Sequence, residues 1–322
     1  MASQPPTPKK IIIFGATGVI GKYITQALVD NKSKFESIAI FTSQNTVENK
    51  AAEVEQLKNE GVKVVVGDIK NEEDVTSAYE GYDTVVSALS RSTITNQTQL
   101  LALAERSNSI TSFYPSEYGT DITYNPLTSP HEKPHQDKLR VRAFVESSIK
   151  RLLVTYLVTG PYSDMYMGKP IGEGGKAGGF DVKDKKAVLL GSGDEEVSFT
   201  TMADVGKLLV ASLETPFVAS DASSPNTRIF KVNSFTTTPH RILAEFEKQT
   251  GGEKWKTVYT PLAELKSLES LAWEKGIPSA TAYTLRRIWT EGGTLYKQSD
   301  NVKVGDPKTE SLEEQVRKLV GR

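Results

Sequence analysis

The chain has 322 residues, a formal charge of -1 and no cysteine. Its length can bury a full core as one large α/β domain or as a domain with a smaller lobe, and the near-neutral charge gives no reason to expect nucleic acid or an acidic membrane surface as a partner. The missing cysteines exclude a disulfide framework, thiolate metal sites and a cysteine nucleophile, which suits a cytoplasmic setting.

Residues 1 to 10 are polar, carry Pro5, Pro6 and Pro8, and lack the apolar core of a signal peptide, so they read as a flexible tail. No later run approaches the length of a membrane span. Ile11 to Phe14 is an apolar, largely β-branched run that meets Gly15-Ala16-Thr17-Gly18-Val19-Ile20-Gly21, after which Tyr23, Ile24, Ala27 and Leu28 take up helical spacing. This is strand, tight turn and helix. Gly15 is expected to reverse the backbone, Gly18 to let backbone amides approach a pyrophosphate, and Gly21 to let the helix pack closely on its strand. The phosphates would sit at the helix N-terminus, where unpaired amides and the helix dipole favour negative charge. The spacing is G-x-x-G-x-x-G, which differs from the G-x-G-x-x-G pattern of the long-chain dinucleotide enzymes and could by itself be loop punctuation.

Ser37 to Phe41 reads as a second strand, and Thr46 to Asn59 as a helix with Ala51, Val54 and Leu57 on one stripe. Val62 to Val66 is a third strand closing on Gly67-Asp68, Glu72 to Tyr79 a helix, and Asp83 to Leu89 a fourth strand. Thr98 to Arg106 is helical, and Thr111 to Tyr114 is a fifth strand stopped by Pro115. After a loop with Pro126, Pro130 and Pro134, a helix runs from about Gln136 to Lys150, and Leu152 to Val158 is a sixth strand leading to Gly160-Pro161. Apolar strands alternating with helices predict a doubly wound parallel sheet of the Rossmann type, with ligands at the carboxyl ends of the strands. Asp68, Ser87 and Ala88 are expected to lie beside the cofactor on that ground.

Met165 to Gly179 is glycine-rich and reads either as a lid or as a surface excursion. Ala187 to Leu190 and Val197 to Thr200 look like short strands. Thr201 to Asp204 forms a capping box that opens the helix Val205 to Leu213. From Pro239 the sequence is mainly helical, with Trp255, Trp273 and Trp289 available as core or pocket wall. The expected division is a nucleotide-binding domain over 11–160, rejoined by 197–235, and a smaller, mainly helical substrate lobe over 161–196 and 236–322. Pro161, Tyr162, Met165 and Tyr166, just past the sixth strand, offer adaptable walls for an aromatic ligand, or are simply core.

The end of the second strand selects the dinucleotide. Thr42, Ser43, Gln44 and Asn45 include no carboxylate to hold a ribose diol, and Lys50 is the nearest cation, which favours NADP(H) over NAD(H). A run of Thr, Ser, Gln and Asn is also what an ordinary turn looks like. His131-Glu132-Lys133-Pro134-His135 matches a zinc-protease pattern, but Pro134 prevents an unbroken helix from carrying both histidines, so no metal site is expected.

None of the twelve tyrosines has a lysine four residues on, so the usual short-chain dehydrogenase pair is missing. Lys138 shares a helix face with Val141 and Val145, and that face should turn inward. A lysine desolvated there beside bound cofactor would have a lowered pKa suited to proton transfer; the alternative is that it snorkels to solvent.

The glycine turn, Gly61-Val62 through Val66-Gly67-Asp68, Tyr114-Pro115-Ser116-Glu117-Tyr118-Gly119, Lys138 to Glu146 and Phe199 to Gly206 resemble the NmrA-like branch of atypical short-chain dehydrogenases. Within that branch they resemble the isoflavone reductase-like proteins, which include pinoresinol-lariciresinol and phenylcoumaran benzylic ether reductases. The resemblance spans residues 10 to about 215. It implies an NADPH-dependent reductase of a small aromatic or secondary-metabolite substrate, with Lys138 as general acid/base. Two departures stand out. Ser43 occupies the place near which the family commonly has an arginine for the 2′-phosphate, and Tyr118 replaces the family's phenylalanine, as a rival proton donor or a surface variation. The alternative implied by the same resemblance is a non-catalytic NADP(H)-binding regulator like NmrA itself; a monomer or a homodimer fits either.

Overall fold

The computed structural model describes residues 7–125, 129–168 and 175–321. Pro126, the tail residues Pro5 and Pro6, and Gly172 and Gly174 of the glycine-rich stretch lie outside them.

The strands are β1 Lys10–Phe14, β2 Ser37–Thr42, β3 Lys63–Val66, β4 Thr84–Ser87, β5 Ser112–Tyr114, β6 Leu153–Val158, β7 Gly179–Asp181, β8 Lys186–Leu190, β9 Val197–Phe199, β10 Thr227–Lys231, β11 Phe235–Thr237 and β12 Lys256–Thr260. The helices are α1 Gly21–Asp30, α2 Gln44–Asn49, α3 Ala51–Asn59, α4 Glu72–Tyr79, α5 Gln97–Arg106, α6 Lys133–Ser148, α7 Ser163–Met167, α8 Met202–Glu214, α9 Pro239–Gln249, α10 Leu262–Glu274, α11 Ala280–Thr290 and α12 Leu312–Val320.

Seven strands form one parallel sheet in the order β10-β6-β5-β4-β1-β2-β3. Alternate residues of β1 serve opposite faces. Ile11 and Ile13 pack with Ile24 and Leu28 of α1 and with Val205, Leu208 and Leu209 of α8. Ile12 and Phe14 pack with Val75, Tyr79, Leu100 and Val141 from α4, α5 and α6. Each such side chain, taken fully out of water, contributes on the order of 1.5–3 kcal/mol, so a strand apolar on both faces is held only in the middle of such a sandwich. The direction of winding reverses between β1 and β4, which opens a crevice beyond their carboxyl ends.

Several elements depart from the sequence expectation. The helix expected over Thr46 to Asn59 is two, because Lys50 leaves helical geometry (φ -128°, ψ 36°) between them. The capping box at Thr201 is half formed. The Thr201 hydroxyl accepts the Asp204 amide at 3.1 Å, but the Asp204 carboxylate turns away to the Ser234 hydroxyl, the Glu310 amide and the Lys207 ammonium. β10 completes the main sheet as its outermost strand, and a three-stranded sheet, β12-β8-β7, sits within the later half of the sequence. That half has its own core, in which Phe180, Phe199, Phe246, Trp255 and Val316 meet.

Candidate active site

Gly15 follows β1 directly with a positive φ of 85°, and a Cβ there would lie 2.5 Å from the Ala88 carbonyl oxygen. The turn after β1 and the end of β4 therefore touch. The Gly18 amide donates to the Gly15 carbonyl at 3.0 Å, which closes the loop. A Cβ on Gly21 would fall 2.0 Å from the same carbonyl oxygen, so the first turn of α1 packs tightly on the loop itself. Ala16 and Ile20 face the core while Val19 is exposed, and no carbonyl among the described residues accepts the Val19 or Ile20 amides. A loop closed on itself, with amides at a helix N-terminus left over, is the cradle a pyrophosphate requires.

Lys50 reaches back to this cradle and donates to the Thr17 carbonyl at 2.5 Å. Ser43 caps α2, its hydroxyl accepting the Thr46 amide at 3.2 Å, and it faces Val66, Gly67 and Asp68 across an open cleft, with Gln44 and Asn45 alongside. Thr42 is buried at the end of β2. Ser87 is fully buried, and its hydroxyl finds no partner among the described residues. The residues present fit a dinucleotide. The glycine turn admits close approach, the cleft beyond β2 holds hydroxyl and amide donors, and Asp68 is the carboxylate in that cleft, across from the end of β2.

Lys138 lies in the second turn of α6, which begins at Lys133 with Pro134 in its first turn. His131 therefore precedes the helix, and its ring lies against Trp273. His135 is buried on Ser129, with Nδ1 and Oγ 3.1 Å apart, so the two histidines serve different surroundings. Val141 and Val145 are buried as the helix pattern required. The Lys138 ammonium turns inward and donates to the main-chain carbonyl of Glu117 at 2.8 Å. Among the described residues no carboxylate pairs with it. Burial lowers its pKa below the ordinary lysine value; Glu117 opposes that effect, while Arg142 and Arg91 reinforce it.

The segment holding that carbonyl is fixed from several sides. Arg142 grips the Glu117 carboxylate with two donors, at 2.9 and 3.1 Å, and stacks on the Tyr156 ring. The Gln97 side-chain oxygen accepts the Ser116 amide at 2.7 Å. Glu132, wholly buried, takes Arg91 and the Thr281 hydroxyl. These links escape sequence reasoning because they join positions 19 to 149 residues apart and follow no local period.

Tyr118 is not a surface variation. Its ring lies in the core cluster with Ala16, Ile20 and Ala88, and its hydroxyl has no partner among the described residues. Burial raises its pKa well above the ordinary phenol value. The Tyr162 hydroxyl donates to the Tyr118 carbonyl, which ties the segment after β6 to the segment after β5. Tyr166 is buried against Phe199 and Trp289, whereas Met165 is 39% exposed and turns away from that cluster. Pro161 is buried as well.

Comparison with known proteins bears on this architecture. Residues 7–302 match the family model described as NmrA-like family. Isoflavone reductase of Pisum sativum is 27% identical over 274 residues, covering 82% of this chain and 83% of the relative. A crystal structure of isoflavone reductase superposes with a TM-score of 0.80 at 20% identity, covering 97% of this chain and 99% of the other. The binary complex of leucoanthocyanidin reductase with NADPH from Vitis vinifera does so at 0.77 and 21%, covering 97% and 100%. With a glycine cradle at the β1–β4 crevice, an inward lysine on α6 and a family match over most of its length, the chain belongs to the NmrA-like family.

Proposed function

We propose that the protein is an NADPH-dependent reductase of a small aromatic substrate, with Lys138 as its general acid/base. The observation that carries this reading is the Lys138 ammonium, which is half-buried, turned inward, bound to a carbonyl and free of any carboxylate among the described residues, beyond the carboxyl end of β5. The named reductases among its relatives support the same reading.

The cradle from Gly15 to Gly21 would hold the pyrophosphate, with Thr42, Ser43 and Lys50 toward the adenosine end and Ser87 and Ala88 along the crevice. NADPH supplies the hydride when bound there. The remaining work is a proton. As a substrate carbon gains hydride, negative charge develops on the attached oxygen, and an ammonium held in place lowers the energy of that charge and then gives up its proton. A neutral carbonyl partner holds the ammonium without stabilising its charge as a carboxylate would, so the depressed pKa survives. The grip of Arg142 on Glu117 keeps that carbonyl in position.

The test is oxidation of NADPH by the purified protein with a panel of small aromatic carbonyl and quinone-like compounds. Turnover that depends on Lys138 is expected. Tight NADPH binding with no oxidation by any member would favour the redox-sensing regulator instead.

A further inference from the structure

Arg286 in α11 has no ion-pair partner among the described residues, although the residue is 92% buried by its 8% exposure. Its Nη2 donates to the Tyr166 carbonyl at 3.1 Å, and its guanidinium lies 3.6 Å over the centre of the Tyr166 ring and 5.7 Å from that of Trp289. Its Nη1 is buried and meets no acceptor among the described residues. The contrast with the next residue is direct. Arg287 pairs with both Glu269 and Glu291, as a guanidinium withdrawn from water ordinarily does.

The location matters as much as the missing partner. α11 is tied at both ends to the segments that follow β5. Near its start the Thr281 hydroxyl donates to Glu132, and near its end the Trp289 indole donates to the Thr120 hydroxyl at 2.9 Å. Thr120 follows Gly119, where a Cβ would lie 3.8 Å from the Lys138 ammonium. Arg286 is thus one aromatic ring away from the segment that borders the proposed proton donor. Aromatic faces hold a guanidinium flat and leave its edge as a fork of donors, the geometry that receives a carboxylate.

We infer that Arg286 is a substrate-recognition residue and that the substrate is an aromatic acid, whose carboxylate pairs with the free edge of the guanidinium while Tyr166 and Trp289 border its ring. This rests on the reductase reading, but it is tested by binding rather than by turnover. The NADPH-loaded protein is titrated with 4-hydroxycinnamate and with its methyl ester, following the fluorescence of the bound nicotinamide and, independently, heat. The acid should bind at least about tenfold more tightly than the ester, as a charge-assisted contact implies. Arg286→Gln should erase that preference while leaving ester and NADPH affinities within a few-fold, and Arg286→Lys should keep part of it.

Equal binding of acid and ester by the unaltered protein overturns the inference, and so does an acid preference that survives in Arg286→Gln; the arginine is then a packing element clamped between rings. Should Arg286→Gln fail to fold, Arg286→Lys decides: an acid preference as large as that of the unaltered protein overturns the inference, and a reduced one supports it. The two readings separate cleanly. Reduction of neutral carbonyls without acid preference sinks this inference and spares the reductase, while acid preference that vanishes with Arg286 and no NADPH oxidation does the reverse.

Discussion

Lys138 places its ammonium 2.8 Å from the main-chain carbonyl oxygen of Glu117, while the Glu117 carboxylate is turned to Arg142. One residue thus offers the lysine a neutral acceptor and denies it an anionic one. Were the carboxylate to face Lys138, the ammonium would be stabilised and its proton harder to lose.

The first expectation concerns that proton. Lys138→Ala should lower turnover by about 100-fold to 10,000-fold, the usual worth of general acid/base help, with NADPH affinity unchanged within a few-fold. In the reductive direction the lysine must start protonated, so kcat/KM should fall as pH rises through its pKa, which burial sets below the ordinary lysine value. That limb should be absent from Lys138→Ala, and arginine at this place should not restore it. Tyr118→Phe is the control, with turnover expected within a few-fold, because a phenol with its pKa raised by burial is a poor donor. A collapse of turnover in Tyr118→Phe with Lys138→Ala intact would move the proton to the tyrosine.

The second expectation concerns cofactor choice. The unaltered protein should bind NADPH more tightly than NADH. Ser43→Asp should weaken NADPH binding by about tenfold or more and spare NADH, since it sets a carboxylate against the 2′-phosphate. Aspartate caps helices as well as serine does, so α2 should persist and the loss should be electrostatic. Nicotinamide fluorescence titrations measure both cofactors. An unchanged NADPH affinity would mean that the 2′-phosphate lies elsewhere.

Much of this molecule is written locally. The Gly15 to Gly21 turn, the apolar strands β1 to β6 and the inward face of α6 follow from residue type and period, and each is legible in the sequence. What escapes depends on distant partners. β10 alternates buried and half-buried residues, as an outer strand does, and is recognisable only once β6 is there to pair with it. β12 is mostly exposed and carries little apolar signal. Glu117 and Arg142 stand 25 positions apart, and Arg286 sits in a helix whose sequence says nothing of Tyr166, 120 residues earlier. Lys50 reads like the interior of one helix; its contact with Thr17, 33 positions earlier, accompanies the break.

Packing beneath the cradle gives a third expectation. A Cβ on Gly206 of α8 would lie 2.5 Å from the Tyr23 carbonyl oxygen and 2.7 Å from the Ala27 methyl, so α1 and α8 cross there with no space for a side chain. Gly206→Val should destabilise the fold by about 1–3 kcal/mol or more, as overpacking does. Because α1 carries the cradle at its N-terminus, NADPH affinity should fall with it. Denaturant unfolding and cofactor titration on the same preparation test the link, and loss of stability with cofactor affinity unchanged would break it.

The last expectation is a pH dependence of stability centred on His135. Its ring is buried on Ser129, and burial first, then the positive charges of Lys138 and Arg91, depress its pKa from 6.5 to about 3. The native ring is therefore neutral across ordinary pH, while the unfolded protein takes up a proton near 6.5. Between those values the unfolded state binds the extra proton, so stability is full above about pH 6.5 and declines as the pH falls toward 3. The slope is about 1.4 kcal/mol per pH unit, or on the order of 2 kcal/mol between pH 6.5 and 5. His135→Gln keeps a polar partner for Ser129 and does not titrate. Urea unfolding at a series of pH values should show the unaltered protein losing that amount relative to His135→Gln, with the two curves parallel above pH 7. Parallel curves throughout would mean that the native protein accepts the proton on His135, and that the ring is not sealed from water.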